Sequence, residues 1–137
     1  MTVIIVSTEP SKLNLARVHA WLTVAYWSEG RTRETVEKAA RDSLNFGAYI
    51  DGEMVGYARV VTDFVTFGWV CDVVVDEAHR GKGVGKALMT AVTEHEGLKD
   101  LKRLLLKTRD AHSLYRKFGF EEDPENPDWM IKRGTTV

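Results

Sequence analysis

Cysteine is almost missing from this chain: Cys71 stands alone among 137 residues, so no internal disulfide can close and no cysteine-based metal cluster can be built. Charge of one sign is missing too. Nineteen Lys and Arg oppose 20 Asp and Glu, for a net charge of -1, which argues against a dedicated binder of nucleic acid or of a membrane surface. No apolar run is long enough to cross a bilayer. The apolar start, Val3 to Val6, is too short for a signal peptide and has no basic leader, so a cytoplasmic location is expected. His19, His79, His95 and His112 show no metal-ligand spacing, and no metal is expected. No repeat, linker or low-complexity segment appears. What remains is an ordinary globular composition, 44% hydrophobic and 28% charged, in the length of one domain, read here as residues 1–137 around one core.

The stretch from Val73 to Met89 is the one the chain is organised around: Val73, Val74 and Val75 close a buried strand, Arg80-Gly81-Lys82-Gly83-Val84-Gly85-Lys86 make a glycine-rich turn, and a helix follows. Glycines at alternate positions let successive N–H groups converge on one anion at the positive end of a helix dipole. Arg80, Lys82 and Lys86 add positive charge. Counting excludes two phosphate motifs. A Walker loop needs a glycine five residues before Gly85, where Arg80 stands, and a hydroxyl where Ala87 stands. A dinucleotide fingerprint needs Gly-x-Gly-x-x-Gly, whereas the spacing here is Gly81-x-Gly83-x-Gly85.

The rest of the chain reads as follows. Val3–Val6 is a strand closed by Glu9-Pro10-Ser11. A helix is expected from about Lys12 to Tyr26, with Leu13, Ala16, Ala20, Val24 and Trp27 on one stripe and Leu15, Val18 and Leu22 beside it. Thr32 caps a second helix with an apolar face of Val36, Ala39, Ala40 and Leu44. Ala48 to Ile50, Asp51-Gly52 and Met54 to Thr62 make a hairpin, because Asp-Gly accepts the positive φ of a tight turn. Asp63 to Thr66 connects to the strand Phe67–Val75. The helix after the glycine turn repeats Val84, Ala87, Leu88, Ala91, Val92 and His95, and Gly97 ends it. Arg103 to Lys107 suits a strand covered on both faces. Asp110 caps a short helix with Ala111, Leu114, Tyr115 and Phe118 inward and Gly119 as its stop. Phe120-Glu121 and Trp129 to Lys132, around the loop Pro124 to Pro127, suggest a terminal hairpin. The order is β-α-α-β-β-β-α-β-α-β-β, an α+β chain with a mixed, mostly antiparallel sheet flanked by helices.

Arg80-x-x-Gly83-x-Gly85 after a hydrophobic strand resembles the acyl-CoA-binding motif of the GNAT superfamily of N-acetyltransferases, and the order of elements is that of the GNAT fold. Ala111-His112-Ser113-Leu114-Tyr115-Arg116-Lys117-Phe118-Gly119-Phe120 resembles a second segment of the family. The resemblance implies that turn amides from Arg80 to Lys86 hold the coenzyme A pyrophosphate. It also implies that backbone groups of Val73, Val74 and Val75 meet the pantetheine arm and the acetyl carbonyl, and that Tyr115 lies near the thioester sulfur and protonates the departing thiolate. The competing reading makes Tyr115 a core aromatic. Where many relatives carry an asparagine this chain has Thr108, which reaches less far.

Asp72 is the oddity of its strand, since a carboxylate in an apolar run is costly to bury alone. Three readings stand: it accepts the substrate's ammonium or a proton, it pairs with an arginine such as Arg59, or it points to solvent. Tyr26, Trp27, Phe64, Phe67 and Trp69 flank the regions that form the acceptor cleft in this fold. Trp27 and Trp69 join Asp72 as candidate substrate contacts, the other aromatics being assigned mainly to the core. Cys71 reads as a buried small hydrophobe and not as a nucleophile. The function implied is direct transfer of an acetyl group from acetyl-CoA to an amine, on a small molecule or on a protein or peptide, by a monomer or homodimer. A non-catalytic acyl-CoA sensor is the alternative, with a nucleotide-binding module third.

Overall fold

The computed structural model describes residues 2–123 and 130–134. Its strands are β1 (Ile5–Ser7), β2 (Leu44–Ile50), β3 (Glu53–Thr62), β4 (Phe67–Val75) and β5 (Arg103–Leu106), forming one sheet in that order. Neighbours are antiparallel from β1 to β4, and β5 alone runs parallel to β4. The helices are α1 (Leu15–Leu22), α2 (Arg33–Arg41), α3 (Val84–Glu94) and α4 (His112–Arg116). This is the α+β, mostly antiparallel arrangement expected of a GNAT fold.

Each face of the sheet buries its own cluster. On one face, Val84, Leu88, Met89 and Val92 of α3 pack against Phe46, Ala48, Val55, Ala58, Val60 and Val70. Gly56 lets α3 come close, because a Cβ there would lie 2.7 Å from Val84 Cγ1. On the other face, Val18 and Leu22 of α1 and Val36 of α2 cover Met54 and Tyr57. Burying a side chain of this size fully is worth about 1.5–3 kcal/mol, so these contacts hold the helices to the sheet.

Local rules account for the joints. Asp51 and Gly52, at φ 50° and 80°, make the tight hairpin turn between β2 and β3. The Thr32 side chain accepts the Thr35 N–H at 3.2 Å and opens α2. Gly119, at φ 90°, closes α4: its N–H donates to the Arg116 carbonyl, and the Phe120 N–H donates to that of Tyr115.

Several expectations are corrected. Pairing of β1 begins at Ile5, not Val3, because Ile4 would face Ile50, the last residue before the turn. Helix α1 ends at Leu22, not Tyr26, since the Ser28 hydroxyl donates to the Leu22 carbonyl at 2.6 Å and the Gly30 N–H to that of Thr23 at 2.9 Å. Its buried stripe is Val18 and Leu22 with half-buried Leu15, whereas Ala16, Ala20 and Val24 are exposed. The larger side chains remove more apolar area from water and set the helix rotation. Leu44 starts β2 in place of extending α2, and α3 stops at Glu94 with His95 as its cap. β5 is half-buried and Arg103 is exposed, so it is not covered on both faces. Ala111, not Asp110, caps α4. Phe120 and Glu121 form no strand, because the Phe120 N–H is spent on the end of α4; Met130 to Lys132 are also irregular. Pro124 to Trp129, the rest of the expected terminal hairpin, lies outside the described residues.

Candidate active site

The cleft begins where β4 and β5 part. Their pairing covers Phe67 to Val70 against Arg103 to Leu106 and then ends, so Val74 and Val75 pair with β3 on one edge, Val73 lies in the bulge beside them, and none of the three pairs with β5. A bulge sits at the same place. Between Tyr57↔Val74 and Arg59↔Cys71 β4 spends one residue more than β3, and Asp72 there adopts φ 55°. The bulge and the end of the β5 pairing thus fall within the same few residues of β4.

At the end of β4 the Asp76 N–H donates to the Val55 carbonyl at 2.8 Å. Its carboxylate accepts Trp21 Nε1–H at 3.2 Å and holds His79 Nδ1 at 2.7 Å, with Arg17 at 3.6 Å. These hydrogen bonds, His79's first and then Trp21's, together with the charges of Arg17 and His79, hold the Asp76 carboxyl below its ordinary value. The strand therefore enters the glycine turn from a fixed point. Sequence reasoning missed this anchor: the Asp76–His79 pair is local, but Trp21 and Arg17 come from α1 and Val55 from β3.

Arg80, Gly81, Lys82, Gly83 and Lys86 are all exposed, and Gly81 and Gly83 stand at φ 80° and 87°. The first bond within α3 runs from the Ala87 N–H to the Gly83 carbonyl at 3.0 Å, which leaves the amides of Val84, Gly85 and Lys86 without a helix partner. A Cβ at Gly81 or Gly83 would meet nothing within 4 Å, so the turn opens on free space. Unspent amides, a helix N-terminus and three exposed cations fit a pyrophosphate. Gly85 needs no special backbone, because its φ is not positive, in contrast to the expectation for all three glycines.

Tyr115, on α4, is half-buried, packed against the core cluster under α3 and edge-on against Phe120 with ring centroids 6.1 Å apart. Burial, with Tyr26 and Asp110 adding to it, pushes its phenol above the ordinary value, so it stays protonated and able to donate. Thr108 Oγ1 accepts the Ala111 N–H at 3.0 Å, using its hydroxyl to shape the turn into α4.

The segment joining α1 to α2 presents an aromatic wall of Tyr26 and Trp27, both exposed. Trp27 stands edge-on to Tyr26 at 5.1 Å, and the Arg109 guanidinium lies 3.7 Å over the Tyr26 ring. Arg109 carried no signal in the sequence. Trp27 Nε1–H donates to Asp72 Oδ1 at 3.1 Å, while Arg31 Nη1 and Arg59 Nε donate to Oδ2 at 2.8 and 2.9 Å. Of the three readings of Asp72, the structure shows the ion pair with Arg59 and adds Arg31 to it. Burial alone would push this carboxyl up, but the two guanidinium groups outweigh it and hold the value below the usual range.

Trp69 is 49% exposed on the same sheet face as half-buried Cys71. Burial pushes the Cys71 thiol up to about 11, which removes thiolate at neutral pH. Phe64 is exposed and lies against Gly97, beyond the end of α3. Among the described residues no group of three or more His, Cys, Asp and Glu is placed to hold a metal ion, and no helix is long and apolar enough to cross a membrane.

Comparison with known proteins meets this geometry from another side. The profile of the acetyltransferase (GNAT) family matches residues 15–120. A Gibberella zeae protein named as an acetyltransferase is 30% identical over 134 residues, covering 82% of this chain and 76% of its own. Histone acetyltransferase TAP1 of Glycine max is 33% identical over 79 residues, 57% of this chain but 34% of that protein, so the match spans about a third of that longer relative. A crystal structure from Xanthomonas campestris pv. campestris, described as an acetyltransferase of the GNAT family, superposes with a TM-score of 0.93 at 38% identity, over 98% of this chain and 95% of the other. With the profile spanning both the glycine turn and the Tyr115 segment, the chain belongs to the GNAT family of acetyltransferases.

Proposed function

We propose that this chain transfers an acetyl group from acetyl-CoA directly to a primary amine while both substrates are bound. The observation that carries the reading is a turn with unspent amides that follows directly on a strand end left unpaired by β5 at Val73 to Val75; a protonated phenol on α4 adds to it. Acetyl-CoA supplies the activated acyl group. The amides of Val84 to Lys86, with Arg80 and Lys82, would hold its pyrophosphate, and the backbone of Val73 to Val75 would hold the arm and donate to the acyl oxygen as it gains charge. Tyr115 would donate a hydrogen bond to the sulfur as it leaves. Cys71, kept as a thiol, gives no support to an acyl-enzyme, which favours direct attack by the amine.

Release of coenzyme A over a panel of amines, including free amino acids, small polyamines and peptides with free N-termini, tests this. Acceptor-dependent release with intersecting initial-rate lines is expected. Calorimetric binding of acetyl-CoA with no release on any amine would instead favour the sensor reading.

A further inference from the structure

We infer that Asp72 is a positioning residue that ties the acceptor-side segment, residues 23–32, to the bulge of β4, holding Trp27 and, through it, Tyr26 in place. The inference rests on reading this cleft as the acyl-transfer site. Asp72 is the only residue inside a β-strand, among those described, with a positive φ. Its side chain is 3% exposed and accepts hydrogen bonds from two directions. Arg59 on β3 holds it from the sheet at 2.9 Å, while Arg31 and Trp27, at 2.8 and 3.1 Å, reach it from the segment between α1 and α2. That segment lies mostly at the surface. Of its residues 23–32, only Ser28 is buried, and its other ties include the Ser28 and Gly30 bonds back to Leu22 and Thr23, the contact of His19 Nε2 with the Arg31 carbonyl, the Thr32 cap of α2 and the Arg109 guanidinium over Tyr26.

Those other ties run to α1, to α2 and to Arg109; among the described hydrogen bonds of the segment only those to Asp72 reach the sheet. From Trp27 the contacts continue outward to the Tyr26 ring and then to Arg109, and Tyr26 is close enough to Tyr115 to help raise its phenol. One carboxylate thus fixes the spacing between the strand that presents its backbone to the acyl group and the aromatic wall beside the phenol. With both oxygens engaged by three donors, Asp72 acts through Trp27 and Arg31 and not by holding the acceptor itself.

The test uses Arg31→Met, Arg31→Lys, Trp27→Phe and Asp72→Asn in the full chain, with the best amine from the panel. Three quantities are measured: the KM for that amine, the affinity for acetyl-CoA by calorimetry, and the rate of chymotryptic cleavage after Tyr26 and residue 27. Arg31→Met is expected to speed cleavage and to raise the amine KM by at least about tenfold, as a misplaced binding wall does, with acetyl-CoA affinity unchanged. Arg31→Lys should recover part of both effects. If Asp72→Asn fails to fold, Arg31→Met and Trp27→Phe still decide, because they leave the carboxylate paired with Arg59. A folded Arg31→Met protein with wild-type cleavage, or with faster cleavage and unchanged KM, overturns the proposal alone. A wild-type chain with no turnover on any amine overturns the acyl-transfer reading, and this role with it.

Discussion

Gly85 offers a substitution whose effects on stability and on binding should have opposite signs. It lies inside α3, in a helical conformation, and a Cβ there would touch only Val75 Cγ2 at 3.8 Å, an ordinary contact. The fold therefore does not need glycine at this position. Alanine is better than glycine in a helix interior by about 0.8–1.0 kcal/mol, and near the first turn we take roughly half, about 0.5 kcal/mol. For a chain of this size that raises the melting temperature by about 1–3 °C. Gly83 is the control. At φ 87°, a Cβ there costs about 1–2 kcal/mol, so Gly83→Ala should melt lower. If a pyrophosphate rests on the amides of Val84 to Lys86, the methyl of Gly85→Ala stands where it approaches, and affinity for acetyl-CoA should fall at least about tenfold, or 1.4 kcal/mol. Thermal melting and calorimetry on the same samples read both quantities. A Gly85→Ala protein that melts higher and binds acetyl-CoA as the wild type does would refute the phosphate-turn assignment; one that melts lower would refute the steric argument.

Tyr115→Phe keeps the ring against Phe120, so stability should hold while kcat falls by about 10-fold to 1,000-fold with acetyl-CoA binding preserved, as single-turnover kinetics would show. Wild-type turnover with chemistry rate-limiting would leave Tyr115 a core residue. Gly56→Ala should cost about 1–3 kcal/mol in urea unfolding, since its Cβ would lie 2.7 Å from Val84 Cγ1, and a neutral effect would mean α3 shifts freely. Because the folded Asp72 carboxyl lies below its ordinary value, its ion pairs stabilise the fold above the unfolded pKa of about 3.9, and this is lost as pH falls through the lower folded value. Asp72→Asn should therefore lose less stability than the wild type on acidification below about pH 4, and parallel acid limbs would count against the pairing. Cys71→Ala should retain turnover, and alkylation of the wild-type thiol at neutral pH should be slow; loss of all activity in a folded variant would reopen an acyl-enzyme route.

Short-range chemistry makes much of this protein legible in its amino-acid sequence alone. The Asp51-Gly52 turn, the Thr32 cap and the Gly119 stop all depend on dihedrals and hydrogen bonds within a few residues, and all three lie where the pattern places them. The glycine turn belongs with them, because its spacing fixes where amides are left unspent. What tertiary structure decided was every choice between neighbouring alternatives of similar local merit. The first helix offered one broad apolar face, and the sheet below fully buried only Val18 and Leu22 of α1. The C-terminal segment offered strand-like residues at Phe120, but its N–H had a nearer acceptor at the end of α4. Asp72 had three plausible fates, and the choice rested on Trp27, Arg31 and Arg59, which lie 45, 41 and 13 residues away. A buried carboxylate is settled by whichever cations the fold brings to it, and that convergence belongs to the packing of α1, its following segment and β3 on one face of the sheet.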